Sequence, residues 1–537
     1  YRFNSTSDTE VILHAYEEWD LKCLDKFCGM FAFAIWDQRK NRLFCARDRF
    51  GMKPFYYFFN GDSFLFASEI KQLFFSKSVM KEPNDIMIYD YLVHGFTDHS
   101  SETMFKHIRQ LPPAHYLTLD LHKPVKAIEP NSYWKLTDFS TVATNLSPEK
   151  YSEQFFELFS RSVRQHLRSD VRVGSCLSGG IDSSSIVCLI HSILNDTPSP
   201  SRQLTFSSIS VDKNYDEQEY SNAVVKQTGA QNHTVFPNLN EVLNETDRML
   251  DYHDEPFGSS SHFAQWCLFR EIGNNNLSVI LDGQGADEIL AGYHSCLGSF
   301  FLQRIKEMRL ALLFQEVNQC KALHGYKGDQ ILKFIISSLA IHTLGPRLAF
   351  LRPPPKWIGS EFYHQARRKS KHHDFNFSNN TLNNFLSYLI HFNLGALLRS
   401  EDRNSMAHSV EARLPFLDHR LVEFMFSAPM DQKINNGWTK VILRNAMKDH
   451  IPEKIRLRKD KMGFVTSEQQ WISSIPQKTI DDLLFSRPMK ESGYIDVKQT
   501  SKELRTIIHG NKPFNFLPWR ILSLSIWLNK LKTKTDL

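Results

Sequence analysis

The sequence predicts an α/β chain in two parts, with a mostly helical C-terminal stretch. Three observations carry this. The first part is built from aromatic-rich apolar runs separated by turn residues. A Thr/Asn/Ser-rich stretch without periodicity, Thr137 to Leu146, then breaks the pattern. Beyond it, short apolar runs alternate with segments of helical spacing, the signature of an α/β domain. The division this suggests is residues 1–137 and 147–537.

Element by element, Thr9 to Trp19 has helical spacing (Val11, Ala15, Trp19) behind an Asp8 able to cap it. Met30 to Trp36 reads as a strand, and the polar turn Asp37 to Asn41 leads into Leu43–Ala46. Phe55–Phe59 and Phe64–Ala67 flank Asn60-Gly61, a strong hairpin signal. Successive aromatic strands suggest stacked sheets or half of a sandwich. After the linker, Ser147-Pro148-Glu149 opens a helix whose Tyr151, Phe155, Phe159, Val163 and Leu167 form one buried stripe. Val171–Leu177, Leu204–Val211 and Ser278–Leu281 read as strands, and Ile186 to Ile193 as a helix. From about Ser299 the pattern is helical, with a basic, exposed loop expected at Arg367 to Asn379.

Composition narrows the function classes. Of 537 residues, 42% are apolar and 23% charged, as in an ordinary globular protein. Lys and Arg number 64 against 59 Asp and Glu, so a net charge of +5 gives no reason to expect a polybasic nucleic-acid binder. The eight cysteines show no paired CxxC or Cys/His spacing, which disfavours both a zinc site and a disulfide framework. The longest uncharged apolar run, Phe334 to Pro346, is too short for a membrane span. No signal peptide pattern opens the chain, so a soluble, cytoplasmic protein is expected. The first residue is Tyr1, and the sequence is expected to lack its true N-terminus.

The most informative segment is Leu177-Ser178-Gly179-Gly180-Ile181-Asp182-Ser183-Ser184, a strand ending in a Gly/Ser turn that starts a helix. Glycines let the backbone approach a ligand, and the helix N-terminus and the two hydroxyls suit a phosphate or pyrophosphate. There is no Gly-Lys-Ser/Thr ending, so phosphoryl transfer of the Walker A kind is disfavoured. Asp182 within an anion loop makes sense if a cation such as Mg²⁺ accompanies the phosphates. The plainer alternative is a Ser/Gly turn that caps a helix.

This octapeptide resembles the pyrophosphate loop of the ATP-pyrophosphatase superfamily. Other segments resemble one family, glutamine-hydrolysing asparagine synthetase: Leu281 to Glu288 with Gly292-Tyr293, Glu401 to Arg413, Pro415 to Asp418, and Lys461 to Phe464. Upstream, Gly29 to Asp37, Ala46 to Pro54 and Ala67 to Lys71 resemble part of a class II glutamine amidotransferase domain. The resemblance runs from about Ser7 to Trp471. It implies an antiparallel β-sandwich half followed by a doubly wound parallel-sheet ATP-pyrophosphatase domain. It also implies ATP-dependent amidation of aspartate through a β-aspartyl-adenylate, with release of AMP and pyrophosphate.

Carried over residue by residue, the resemblance implies that Ser178, Gly179, Gly180, Ser183 and Ser184 hold pyrophosphate. Asp182 and Asp287 would hold Mg²⁺. Leu177, Ser208, Asp282 and Gly283 would contact ATP. Lys461 would stabilise developing charge, although alone it reads as a surface lysine in Arg458-Lys459-Asp460-Lys461. Arg399, Asp402 and Arg403 share a helix face, either near the substrate or as a surface ion-pair network. Asp8 falls where the family binds the glutamine α-amino group, with an N-cap as the competing account. Arg47, Asp48 and Lys53 read as structural, and Arg413 as a buttress for the Pro415-Phe416 turn.

Two departures matter. The family's N-terminal cysteine nucleophile and Asn-Gly-Glu strand are not in this sequence, which is read as truncation; as given, it is expected to use ammonia and not glutamine. Gln284 stands where many members carry Glu, and the implied catalytic set is Lys461, Gln284 and Arg399. Some Gln-bearing relatives amidate other carboxylates such as sugar acids, so that substrate class is the alternative. The expected partners are aspartate, ATP, and glutamine or ammonia, without nucleic acid or membrane and with room for a homodimer. The rival reading, a tRNA contact through Arg367 to His373, competes with a solvated loop.

Overall fold

A computed structural model of the chain describes residues 1–122, 125, 127–136, 146–195, 203–210, 212, 216–343, 353–370, 381–459 and 468–533. The backbone packs as two compact units. One comprises Tyr1–Glu82 with Ser100–Asp138, the other Pro83–His99 with Phe139–Leu537.

The first unit is antiparallel. Strands β1 (Ala32–Asp37), β2 (Arg42–Arg47), β3 (Tyr56–Phe59), β4 (Phe64–Ala67), β5 (Ile108–Gln110), β6 (His115–Asp120) and β7 (Asn131–Ser132) make two sheets, ordered β1-β2-β6-β7 and β4-β3-β5. The alternation along β2 explains the layering. Phe44 and Ala46 pack with Ala15 and Tyr16 of the helix Asp8–Trp19, whereas Cys45 packs with Phe55 and Tyr57 beside the second sheet. The Asn60-Gly61 hairpin forms with Phe59 paired to Phe64. Gly61 takes φ +99° there, and Asn60 Oδ1 accepts the backbone N–H of Asp62 and Ser63 at 3.1 and 2.9 Å.

Asp8 does not cap its helix. Ser7 does, its hydroxyl accepting the Thr9 N–H at 3.2 Å, and Asp8 lies exposed in the first turn, where its charge complements the helix dipole. Asp48 is buried and accepts three backbone N–H groups, from Phe50, Met52 and Lys53, at 3.0–3.1 Å. Arg47 binds the carbonyls of Gly51, Lys53 and Leu111. Both residues build the turn between β2 and β3.

The second unit centres on five parallel strands: β8 (Val173–Cys176), β9 (Leu204–Ser208), β10 (Gln231–Val235), β11 (Val279–Leu281) and β12 (Glu411–Arg413). Their order is β10-β9-β8-β11-β12. The chain therefore lays down β8, β9 and β10 in one direction, then returns to the other side of β8. The reversal falls between β8 and β11, and in such sheets ligands bind outside the strand ends at that point. Helices cover both faces. Cys176, Phe206 and Ile280 pack against Leu268, Phe269 and Ile272 of the helix Ser261–Asn274. On the other face Gln203 Nε2 bridges Ser175 Oγ and the Val187 carbonyl of the helix Ile181–Asn195.

The helix Pro148–His166 forms as expected, capped by Ser147, with Tyr151, Phe155, Phe159 and Val163 buried. Two strands carry no clear sequence signal. β10 is a half-exposed edge strand of mostly polar residues, and β12 is three residues long and follows directly on the helix Gly395–Met406. Arg367, Arg368 and Lys369 form the last turn of the helix Ser360–Lys369, and 371–380 lie outside the described residues. Among the described residues no helix is long and apolar enough to cross a membrane.

Candidate active site

Two loops leave the adjacent strand ends at the reversal point. The first, Leu177 to Ser184, is braced by its own hydroxyls. Ser178 N–H donates to Ser183 Oγ at 3.2 Å, the two serine oxygens lie 3.1 Å apart, and Gly180 N–H donates to Ser178 Oγ at 3.2 Å. Gly179 takes φ +80°, and a Cβ there would stand 2.7 Å from both Tyr220 Cβ and Ser221 N. Only glycine meets both demands. Leu177 is buried, and its carbonyl accepts Ser207 Oγ at 2.5 Å. Ser208 ends β9, the strand next to β8. Ser184 is fully buried, and its hydroxyl has no hydrogen-bond partner among the described residues.

The second loop, Asp282 to Glu288, folds against the first. A Cβ on Gly283 would stand 3.1 Å from Asp182 Cβ and 3.2 Å from Ser183 N. The two acidic side chains, 105 positions apart, meet at one cation: Lys440 Nζ lies 2.5 Å from Asp182 Oδ2 and 2.7 Å from Asp287 Oδ1. The lysine is buried, and the aspartates are 14% and 13% exposed, so the site is nearly closed yet still reachable. Gly292 makes room for this triad, because a Cβ there would fall 1.9 Å from Asp287 Oδ1 and 2.2 Å from Lys440 Cε. Asp182 Oδ1 is buried without a hydrogen-bond partner.

These observations bear on Mg²⁺. Two carboxylates already converge on a positive charge, and one carboxylate oxygen is unsatisfied, so the pair fits a divalent cation. Among the described residues no group of three or more His, Cys, Asp or Glu side chains could enclose a metal. The remaining ligands would be phosphate oxygens and water, the usual pattern for this ion.

Sequence reasoning missed Lys440, which lies in no quoted motif, and Arg458, taken as part of a surface charge run. Arg458 is buried; its Nη1 donates to the Gly179 carbonyl at 3.3 Å and pairs with Glu217 at 2.6 Å, and its guanidinium lies 4.0 Å from the Tyr220 ring centroid. It thus braces the Leu177–Ser184 turn through the Gly179 carbonyl. Lys461 lies outside the described residues.

Arg399 is occupied within the second unit. It pairs with Asp98 at 2.8 Å and Glu255 at 3.2 Å, and donates to the Pro256 carbonyl at 3.3 Å. The same helix instead sends Glu401 to the second loop. Glu401 is 2% exposed and accepts from Gln265, with Asp282 and Gln284 nearby. Burial raises both carboxyls; the charge of Asp282 raises Glu401 further, and that of Asp182 raises Asp282. The helix continues the polar network: Asn404 bridges His253, the His262 carbonyl and Gln265. Burial keeps His262 neutral by pushing it down to about 3.

Comparison with known proteins places the chain in a family. The family model described as asparagine synthase matches residues 154–529, and one described as a glutamine amidotransferase domain matches residues 1–134. Asparagine synthetase [glutamine-hydrolyzing] 1 of Bacillus subtilis (strain 168) is 28% identical over 537 residues, spanning 98% of this chain and 81% of the relative. Asparagine synthetase [glutamine-hydrolyzing] 3 of the same organism is 29% identical, spanning 94% and 78%. With its synthase match covering more than half of its length, the chain belongs to the asparagine synthase family.

Proposed function

We propose that this chain converts aspartate to asparagine at the expense of ATP, with ammonia released from glutamine by the amidotransferase domain of the intact protein. Residues 1–137 are read as that domain and 147–537 as the synthetase. The observation that carries the reading is the convergence of Asp182 and Asp287 on one buried cation at the sheet's reversal point.

A carboxylate is a poor electrophile, so the reaction activates it first. An oxygen of the aspartate side chain attacks the α-phosphorus of ATP, the bond to the β-phosphate breaks, and pyrophosphate leaves. Ammonia then attacks the acyl carbon of the β-aspartyl-adenylate, AMP departs, and the nitrogen loses its extra protons. The charge that accumulates on pyrophosphate is met by the Ser178, Gly179, Gly180, Ser183 and Ser184 turn and the start of the helix Ile181–Asn195. Asp182 and Asp287 would hold Mg²⁺, which would offset the negative charge of the phosphates. Lys440 is the chain's own cation at the same place. Leu177, Ser208, Asp282 and Gly283 line the strand ends where adenosine would rest. Gln284 and Lys461 are assigned to the acyl-adenylate, and Asp8 to glutamine. Arg399 is assigned to the substrate end through the helix that it anchors.

The test is pyrophosphate release with aspartate set against a panel of uronic acids. Release that depends on aspartate is expected. Equal release with a sugar acid, or none with aspartate, overturns the assignment.

A further inference from the structure

Lys440 takes φ +54°, a left-handed backbone that is costly for a lysine and persists where its surroundings impose it. The imposing structure is a short hairpin. Ile434–Asn435 pairs with Trp438–Thr439, and the turn between them is Asn436-Gly437, with φ of +50° and +75°. Two successive positive φ values belong to a type I′ turn, for which Asn-Gly is a preferred pair. Lys440 follows the second strand directly. The Val441 N–H donates to the Lys433 carbonyl at 3.2 Å and closes the base, and Arg444 Nε donates to the Thr439 carbonyl at 2.9 Å. A hairpin this short holds little structure by itself.

Its tip is fixed by the helix Leu310–His324. Glu316, 5% exposed, accepts the Asn436 N–H on Oε1 and the Gly437 N–H on Oε2, both at 3.0 Å. His324 Nε2 stands 2.9 Å from the Gly437 carbonyl oxygen; a carbonyl only accepts, so this nitrogen carries the proton and donates. A Cβ on Gly437 would lie 3.0 Å from Cys320 N, so the turn is seated directly on the helix backbone. The chain runs from this grip through Trp438 and Thr439 to the ammonium that Asp182 and Asp287 share. We propose that Glu316 is a positioning residue: by holding the Asn436-Gly437 turn it sets the Lys440 ammonium between the two aspartates, where it meets the charge of the departing pyrophosphate. Without that carboxylate the two N–H groups turn to water, the hairpin loosens, the left-handed backbone at Lys440 relaxes and the ammonium leaves the aspartates.

The part played in pyrophosphate release rests on the adenylation reading above; the placement of Lys440 does not, and the experiment separates the two. The full chain, unsubstituted and as Glu316→Met, is treated with acetic anhydride, and acetylation of Lys440 and Lys433 is read by mass spectrometry. Lys433 is the control, since it is fully buried just before the hairpin and its Nζ donates to the Ala428 carbonyl at 2.8 Å. Acetylation of Lys440 is expected to rise at least about tenfold in Glu316→Met while Lys433 stays protected. Unchanged protection of Lys440, or an equal rise at both lysines, would overturn the proposal. Aspartate-dependent ATP–pyrophosphate exchange is then measured for Glu316→Met, Lys440→Met and the double variant. Glu316→Met should lower the rate about tenfold, and the double variant should be no slower than Lys440→Met alone. Multiplying losses would overturn the proposal, because they would show an effect that bypasses Lys440. No exchange in the unsubstituted chain would overturn the adenylation reading instead, and the labelling would still decide whether Glu316 places Lys440. If Glu316→Met does not fold, Glu316→Asp serves, its carboxylate drawn back by one methylene. Lys440 should then be labelled more than in the unsubstituted chain and Lys433 should not; equal labelling of Lys440 in both would contradict the assignment.

Discussion

Lys440 is the residue on which the site's electrostatics turn. It is buried with its ammonium between Asp182 and Asp287, so its removal leaves two carboxylates facing each other without the ammonium they share. Lys440→Met should therefore lose about 3–5 kcal/mol of unfolding free energy in urea. Added Mg²⁺ should raise the melting temperature of this variant more than that of the unsubstituted chain; an equal rise in both would show that the aspartates do not take the ion. Gly292→Ala places a carbon 1.9 Å from Asp287 Oδ1, and a cost of about 1–3 kcal/mol is expected in the same measurement. The two halves of this triad differ in how readable they are. Asp182 announces itself because strand, glycine turn and helix start are contiguous. Lys440 reaches it from 258 positions away, and no local pattern around Trp438-Thr439-Lys440 shows that its ammonium will be buried.

At the scale of elements, the sheet's reversal between β8 and β11 brings two loops together that the sequence presents separately. Each loop was legible through its glycines, since Gly179 and Gly285 adopt φ of +80° and +87° and close contacts forbid a side chain at both. What escaped was the second function of the helix Gly395–Met406. The i, i+3, i+4 face of Arg399, Asp402 and Arg403 drew attention, whereas Glu401, two positions on from Arg399, is the side chain that reaches the loop. β10 and β12 escaped because an edge strand needs no apolar alternation and a three-residue strand cannot display one. A pH prediction belongs here as well. Glu468 opens the helix Glu468–Ser474 and accepts the Ser260 N–H and Oγ at 2.8 and 3.0 Å, yet burial pushes its carboxyl up to about 7. The folded chain thus binds this proton more tightly than the unfolded chain does. Its contribution is present in full below about pH 4.5 and is lost as pH rises through about 7. In urea titrations across that range, Glu468→Gln should flatten the fall in stability, and an unchanged slope would reject the burial account.

At the scale of the whole molecule, the division of the chain into two units is not a single cut. Pro83–His99 belongs with the second unit although the residues on both sides of it belong with the first. Asp98 from this segment pairs with Arg399 at 2.8 Å, and the Tyr91 hydroxyl donates to the Phe257 carbonyl at 2.9 Å. Asp98→Asn should cost up to about 3 kcal/mol of unfolding free energy, less than a fully stranded charge because Glu255 still faces Arg399. The Thr/Asn/Ser-rich linker gave no hint of this segment, because composition marks where a chain is loose and not which core a short helix joins. The proposed function reduces to one residue: Asp182 would hold the divalent cation that offsets the charge on the departing pyrophosphate. The direct measurement is aspartate-dependent ATP–pyrophosphate exchange in the unsubstituted chain and in Asp182→Asn. Exchange in the former and at least about a 10²-fold loss in the latter is the expected result; equal exchange in both would contradict the account.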